Sequence, residues 1–476
     1  MNASRRHFFR TTAALGAAAT LPGLRHLAHP LSLGLAGIGA LSAMSAQKAL
    51  AQSSDYRAIV CLFMAGGNDS HNWVVPTAST EYAGYAAART DLAWPQAQLL
   101  DIGQGAQAAG RSFGMPQELQ ALRAWYHSGH AAIVANVGPL ERPLTLAEYN
   151  AGVGRPAKLF SHNDQQSTWQ SLQTEGARSG WGGRMGDALA AANDKPVFTA
   201  ISATGNAVFL SGNAVTQYQV GVDGPVAINA LANGWTAGSS TVNAVMRRRL
   251  GETGSGTLEA EYDNVLKRAV EANTQLKAAL DTGPVPALPT TVLPLGAGTT
   301  TLDQLNLAKQ LRIVARIIQA APALGLRRQV FMVQMGGFDT HAHQMRDQPG
   351  LMAQVAASAD WFLNHLNTAG LLPSVTLFTA SDFGRALLNN GDGSDHGWGG
   401  HHLVAGGGTL GGRIHGLFPT VALKTTTDVG SGRLLPTTSV TQLAGALGGW
   451  MGLSATELTT VLPNVGSFDG LGLMAG

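Results

Sequence analysis

The pattern of apolar positions along the chain predicts buried strands that alternate with amphipathic helices. The stretches 58–64, 131–137, 328–335 and 375–380 consist largely of apolar residues, which is typical of central strands covered on both faces. Helices are predicted at 116–128, 258–280, 302–320, 350–369 and 437–452. Apolar residues recur at helical spacing on one face of 258–280 and of 302–320. Because the two kinds of stretch alternate, we predict an α/β fold with a mostly parallel central sheet flanked by helices.

Weaker signals fill the gaps between these elements. Thr301 and Gln304 form a capping-box pattern at the start of the helix predicted for 302–320. The stretch 281–300 is rich in Pro, Thr and Gly, which predicts a surface excursion or a domain seam. Short apolar runs predict strands or a hairpin at 197–201 and 206–211, and a further strand at 419–423.

The N-terminus carries an export pattern. Arg5 and Arg6, followed by a short spacer and apolar residues, fit the twin-arginine signal. A mildly apolar stretch then ends in Ala49-Leu50-Ala51, which is an A-x-A cleavage pattern. We therefore expect residues 1–51 to be a cleaved signal peptide, read by the twin-arginine export machinery, and the protein to be periplasmic or otherwise exported. Residues 52–476 are expected to form a single domain.

Composition and segment lengths limit the partners of the protein. A retained membrane anchor at 31–46 is the alternative to cleavage, but the apolar stretches beside Arg25 are each shorter than the ~20 residues of a spanning helix. We therefore expect no stable anchor after cleavage. Only 13% of the residues are charged and the net charge is +2, so we expect no nucleic-acid partner. With Cys61 as its single cysteine, the chain can form no internal disulfide and must be stabilised by packing or by a bound metal.

Polar loops follow three of the predicted strands directly. Gly66–Ser70 comes after the first strand, and 336–343 and 381–385 come after two later ones. In open α/β sheets, ligands bind beyond the carboxyl ends of the strands. We therefore expect these loops to meet at one edge of the sheet, although they are far apart in the sequence.

The loop after 328–335 combines a carboxylate with two imidazoles. Asp339, His341 and His343 stand at alternate positions, so in an extended loop all three side chains point the same way. In a helical loop, Asp339 and His343 lie one turn apart on one face. Either geometry predicts transition-metal ligands; the alternative is a solvated loop whose histidines cap nearby backbone.

A second group of candidate ligands lies in 395–402 and in the loop after the first strand. Glycines around His396 allow imidazoles to approach one point. His401 and His402 are adjacent, so on a strand they point oppositely and only one of them is expected to be a ligand. The alternative is a glycine-rich surface loop with hydrogen-bonded histidines. Asp69 closes the first predicted strand, where a carboxylate is well placed as a ligand.

Two further loops carry residues with more than one interpretation. Asp382 is either a metal ligand or the cap of a following helix. Arg385 suits bidentate binding of a phosphate, sulfate or carboxylate; the alternative is a salt bridge to Asp382 or Asp392. Ser161 is a candidate nucleophile and His162 a candidate site residue, although neighbouring residues cannot form a Ser–His relay without distortion.

These blocks together resemble an exported bacterial family, the domain-of-unknown-function family numbered 1501. The resemblance covers essentially the whole chain after the twin-arginine leader and rests on the joint order of its motifs: Gly66–Asp69, Phe160–Gln166, Gly337–His341 and Asp395–His402. That family is more distantly similar to the alkaline phosphatase and sulfatase superfamily. The resemblance therefore implies a sulfatase-like α/β fold.

The superfamily pattern also implies roles for individual residues. It implies an acidic ligand at Asp69, a nucleophile for which Ser161 is the nearest candidate, and an Asp-x-x-x-His pair at Asp339 and His343. Asp382 and either His401 or His402 match the late Asp-His pair and the final histidine. Phe383 departs from the pattern, because it stands where His or Asn commonly provides a ligand of a second metal.

The function expected from these residues is the metal-dependent hydrolysis of phosphate or sulfate esters, with a small anionic ester as substrate. Zinc is the natural ion for Asp and His ligands, and calcium or manganese would suit a site dominated by carboxylates. One alternative is a non-catalytic binding or assembly protein with a degenerate metal site on the same fold. A second is a metal-dependent amidohydrolase, suggested by His341-x-His343, although that motif usually ends the first strand of a barrel and here falls late in the chain.

Overall fold

The structure is a computed structural model and describes residues 55–226 and 256–475, together with residues 241, 242, 244, 245 and 248. The signal peptide expected at 1–51 and the alternative anchor at 31–46 lie outside the described residues. Contacts group Ser54–Gly476 into one compact unit. Among the described helices, none has the length and apolar character needed to cross a membrane.

The strands are short except for those at the centre of the main sheet. Their bounds are β1 (Arg57–Met64), β2 (Val75–Pro76), β3 (Leu99–Gly103), β4 (Phe113–Pro116), β5 (Ala131–Gly138), β6 (Ala200–Ser202), β7 (Tyr218–Gly221), β8 (Gly224–Pro225), β9 (Val292–Pro294), β10 (Thr299–Thr301), β11 (Arg328–Met335), β12 (Val375–Ser381), β13 (Arg385–Asn389), β14 (Ser394–His396), β15 (Gly400–Gly406), β16 (Ile414–His415) and β17 (Thr438–Ser439).

The α-helices include two long ones in the second half of the chain. Their bounds are α1 (Ser79–Arg89), α2 (Gln120–His127), α3 (Leu146–Asn150), α4 (His162–Ser171), α5 (Trp181–Leu189), α6 (Thr257–Leu280), α7 (Asn306–Ala320), α8 (Gln344–Thr368), α9 (Val440–Met451) and α10 (Ala455–Val461).

The main sheet has the strand order β16-β5-β15-β12-β1-β11-β6-β7-β8, with β17 paired to β5. Its centre is parallel, because β1 pairs in parallel with both β11 and β12. β15 is antiparallel to β12 and to β5. The start of β15 therefore lies at the edge where β1, β11 and β12 end. This mixed, mostly parallel sheet with flanking helices confirms the predicted fold class.

Helices cover both faces of the sheet, which explains the continuous apolar runs. Alternate residues of β1 enter different cores: Val60 and Leu62 pack with residues of α7 and α8, whereas Cys61 packs with residues of α5 and α9. Cys61 is buried, as expected of a strand residue. Because both faces of these strands are buried, consecutive strand residues are largely apolar.

The strong periodic signals are confirmed, and several weak ones are wrong. The helix predicted from Thr301 begins at Asn306, because Leu302–Gln304 forms a separate 3-10 turn without a side-chain cap. No strand forms at 419–423. The run 206–211 contains a 3-10 turn rather than a strand. Within 281–300, Leu288 and Leu293 are buried in a small apolar cluster, and Leu293 lies in β9 of the β9–β10 hairpin.

Candidate metal centre

The loops after β1 and β11 meet closely at the carboxyl edge of the sheet. Gly66 has a φ of +118°, and a Cβ there would lie 2.4 Å from the Asp339 amide nitrogen. A side chain at Gly66 is therefore excluded both by backbone conformation and by space. This contact places Asp339, 44% exposed in its side chain, beside residues carried by α4 and by the β13–β14 hairpin.

Three imidazoles surround the Asp339 carboxylate. His162 Nε2 lies 3.4 Å from Asp339 Oδ2. His341 Nε2 and His396 Nε2 lie 3.1 Å and 3.4 Å from Asp339 Oδ1 and 2.9 Å from each other. One ligand atom from each of His162, Asp339 and His396 falls within 4.8 Å of the others. Ligands of a tetrahedral zinc ion with bonds near 2.0 Å lie roughly 3.3 Å apart, so the spacing suits one ion.

Each imidazole is held from behind by an oxygen atom. His162 Nδ1 lies 2.7 Å from Asp382 Oδ2, and His396 Nδ1 lies 2.8 Å from the carbonyl oxygen of Phe160. His341 Nδ1 lies 3.4 Å from Asp395 Oδ1. A carbonyl oxygen only accepts, so His396 Nδ1 must donate and the neutral ring keeps the Nε2 lone pair toward Asp339. This arrangement, in which each Nδ1 faces an oxygen and the Nε2 atoms face one shared point, is typical of histidine metal ligands.

Asp382 does not face the imidazole Nε2 atoms but supports the centre from within the protein. Its side chain is fully buried. Its Oδ1 accepts from the Gly66 amide at 3.1 Å, and its Oδ2 accepts from His162 and from Gln166 Nε2 at 2.8 Å. The carboxylate thus fixes the orientation of the His162 ring.

Arg385 is fully buried and anchors Asp339. Its Nη1 donates to Asp339 Oδ1 at 2.6 Å and to the Gly66 carbonyl at 3.2 Å. Its Nη2 donates to the Ser394 carbonyl, and its Nε donates to Ser394 Oγ at 3.3 Å. The salt bridge expected as the alternative for Arg385 therefore exists, but to Asp339 rather than to Asp382 or Asp392. Because these donors are bound to protein acceptors, the guanidinium is not free to hold a substrate anion.

Phe383 packs against two imidazoles of the centre. Its ring lies 5.0 Å from the ring of His162 and 4.7 Å from that of His396, centroid to centroid. A Cβ at Gly67 would lie 2.1 Å from the Phe383 ring, so the glycine makes room for it. The side chain that departs from the superfamily pattern thus packs directly against two of the imidazoles.

Burial and charge keep the centre in a form that can bind a cation. For Asp339, desolvation raises the pKa, but the hydrogen bond and charge of Arg385 and the charges of His341 and His162 outweigh it and lower the pKa overall. Desolvation lowers the pKa of His396. An ionised carboxylate and a neutral imidazole are the forms in which these side chains bind metals.

The structure does not bring Asp69 to the cluster. Asp69 is buried and pairs with Arg89 and with Gln344 Nε2. His343 also lies apart, at the start of α8, where its exposed Nδ1 is 2.8 Å from Asp392 Oδ2.

His401 and His402 lie inside the protein, on opposite faces of β15. His401 accepts from the Asn136 amide and stacks on Phe418, and His402 contacts Trp169 by its ring edge. They point oppositely, as adjacent strand residues must, but neither is in the cluster.

Ser161 precedes α4 directly, next to His162, and its side chain makes no capping hydrogen bond. The supporting residues Phe160 and Gln166 were missed by the sequence reasoning. A backbone carbonyl leaves no signal in the sequence, and a glutamine in a polar stretch is too common to stand out.

The chain belongs to the family described as "Protein of unknown function (DUF1501)", whose model matches residues 56–462. This confirms the family expected from the motifs. No curated protein matches the chain.

The chain is also similar to solved structures of sulfatases. The PsFucS1 sulfatase from Pseudoalteromonas sp. is 11% identical with a TM-score of 0.37, over 92% of this chain and 75% of that one. A 2-O GAG sulfatase is 11% identical with a TM-score of 0.29, over 88% and 76%. A putative sulfatase from Bacteroides thetaiotaomicron VPI-5482 is 11% identical with a TM-score of 0.27, over 84% and 74%. Likeness at this level says nothing about activity.

Proposed function

We propose that the protein is an exported metal-dependent hydrolase of phosphate or sulfate esters. The observation that carries the proposal is the group of three imidazoles whose Nδ1 atoms are held by oxygen atoms and whose Nε2 atoms face Asp339. Support of Nδ1 by an oxygen is the arrangement found in histidines that bind a cation at Nε2.

The donor set favours zinc. His162, His396 and Asp339 would hold the ion and leave its fourth position for a water beside His341. A set rich in nitrogen suits zinc better than calcium or manganese. A metal bound there would act as a Lewis acid and lower the pKa of a bound water to about 7. Asp382 and the Phe160 carbonyl would keep the His162 and His396 rings in the orientation for binding.

The roles first expected for Ser161 and Arg385 change under this proposal. Arg385 is buried and bound to Asp339 and Ser394, so it acts on the carboxylate ligand and not on the ester. Ser161 borders the centre through its neighbour His162, and we propose water as the nucleophile.

The first test measures metal content and hydrolysis together. The purified protein is expected to hold about one equivalent of zinc, as a single site implies, and to release p-nitrophenol from p-nitrophenyl phosphate or sulfate. D339A should lose both the metal and the activity. H343A is the matched control, because His343 is exposed and paired with Asp392 outside the cluster.

The outcomes separate the proposal from its rival. Zinc binding without hydrolysis of either ester, in the unaltered protein, would favour the non-catalytic binding or assembly protein. The binding of the buried Arg385 to Asp339 and Ser394 also supports that interpretation. A metal content near zero, unchanged by D339A, would exclude both.

A further inference from the structure

Asp69 was expected to be a metal ligand, and the structure instead gives it a hydrogen-bonded connection to the metal centre. Its carboxylate is fully buried and pairs with the buried Arg89. Its Oδ2 also accepts from Gln344 Nε2, and its carbonyl oxygen accepts from Gln348 Nε2 at 2.7 Å. Burying a charge pair this deep in the protein costs desolvation energy, which further hydrogen bonds must offset. The hydrogen-bond partners of Asp69 therefore identify the residues to which its carboxylate is connected.

Gln344 passes the connection onward. It is fully buried at the start of α8. Because the Asp69 carboxylate can only accept, the Gln344 amide must present Nε2 to it, which turns Oε1 the other way. Oε1 accepts from Ser394 Oγ at 2.6 Å and from Thr340 Oγ1 at 3.3 Å.

Ser394 completes the connection to Arg385. Its hydroxyl proton is directed at Gln344 Oε1, which leaves its oxygen lone pairs for the Arg385 Nε–H at 3.3 Å. Arg385 then donates to Asp339 Oδ1 at 2.6 Å. A carboxylate stands at each end of this series, and a carboxylate only accepts hydrogen bonds. Gln344 must therefore donate to Asp69, and Arg385 must donate to Asp339.

We propose that Asp69 positions the metal-binding carboxylate of Asp339 through a buried relay of directed hydrogen bonds, Asp69–Gln344–Ser394–Arg385–Asp339. This inference rests on the proposed metal site. Every member except Asp339 is buried, so water does not compete for these hydrogen bonds. The relay holds the Arg385 guanidinium in one place, and Arg385 in turn holds Asp339 among the imidazoles. Gln344 and Ser394 are positioning residues and touch no substrate.

The experiment cuts the relay in its middle, at two uncharged residues. Q344M keeps the length of the side chain and removes its hydrogen bonds to Asp69 and Ser394, together with those to Thr340 and Gln348. Q354M is the matched control: Gln354 is buried on the same helix, and its amide donates to the Gly350 carbonyl at 3.1 Å. S394A and S358A form a second pair, since Ser358 is also a fully buried serine, on α8.

Zinc affinity is measured by competition with a chromogenic chelator, and thermal unfolding is measured alongside. We expect Q344M and S394A to bind zinc about tenfold more weakly than the unaltered protein, at the low end for residues that support metal ligands. Q354M and S358A should bind as the unaltered protein does. The visible spectrum of the Co²⁺-loaded protein should change in Q344M and not in Q354M, because Asp339 is displaced as a ligand.

The outcomes distinguish the relay from the metal site itself. Zinc affinity and Co²⁺ spectra that are the same in Q344M as in Q354M overturn the relay, whatever the loss of thermal stability. Failure of the unaltered protein to bind zinc overturns the proposed function and the relay with it. If Q344M does not fold, the comparison of S394A with S358A decides in the same way.

Discussion

Replacing Asp382 by asparagine tests the support of His162 without changing the shape of the site. The carboxylate is fully buried and accepts three hydrogen bonds, from Gly66, Gln166 and His162. An amide has one accepting end and one donating end, so the asparagine of D382N cannot satisfy all three donors. Either orientation of this amide leaves one of its N–H groups facing another N–H.

The magnitude follows from which hydrogen bond is lost. If the amide nitrogen faces His162 Nδ1, the ring must take the other tautomer, with its proton on Nε2 and no lone pair for a metal. If it faces Gly66, the ring keeps its tautomer but loses the negative charge that makes it a stronger ligand. We expect D382N to weaken zinc binding about 10- to 100-fold, or about 1.4 to 2.7 kcal/mol.

The assay is competition for zinc with a chromogenic chelator at pH 7. D392N is the matched control, because Asp392 also holds a histidine Nδ1, that of His343, at 2.8 Å, but outside the cluster. D382N and D392N with the same zinc affinity would refute the reasoning that Asp382 orients a metal ligand. If D382N loses thermal stability but keeps its zinc affinity, Asp382 stabilises the fold and does not support metal binding.

Acid should destabilise the protein through histidines that are buried as neutral rings. Desolvation lowers the pKa of His402 to about 3 and is the largest cause that lowers that of His71 to about 4, so the unfolded chain binds these protons near pH 6.5 and the folded chain does not. The contribution of these rings to the free energy of unfolding is then complete above pH 6.5. It is lost as the pH falls toward 4, by about 1.4 kcal/mol per pH unit for each ring. Urea unfolding at pH 7 and pH 5 measures this loss, and equal free energies of unfolding would contradict the prediction. G67A should destabilise the protein more than G110A, by about 1 to 3 kcal/mol for overpacking. Both glycines have a positive φ, +83° and +85°, but only a Cβ at Gly67 meets the Phe383 ring; equal melting temperatures would show that the ring yields freely.

The sequence by itself determined the central elements of the fold. β1, β11 and β12 were predicted nearly to their ends, because a strand covered on both faces must be apolar throughout, and that requirement is visible in consecutive residues. The helices α6 and α7 were predicted from periodicity for the same local reason. The strand predicted at 419–423 was wrong. This stretch has the composition of a strand but pairs with no other strand, and strand pairing is not a local property of the sequence.

The site divides in the same way. The sequence determined that carboxylates and imidazoles follow the strands and meet at one edge, since parallel strands end together. It did not determine which of them face one another. Asp69 and Asp382 both follow central strands and were equally plausible ligands, yet Asp69 is taken by Arg89, which lies on α1, and Asp382 by the backbone of Gly66 and by His162.

Only the tertiary structure chose among the histidines. His401 and His402 look like ligands in the sequence, but they enter β15, and a strand in the middle of the sheet turns its side chains into the two cores. His396 precedes that strand and turns outward, and His162 arrives from a segment more than 170 residues from Asp339. A side chain becomes a ligand when its direction and its competing partners allow it, and both are decided by residues distant in the sequence. Residue type is local, whereas direction and pairing belong to the whole fold.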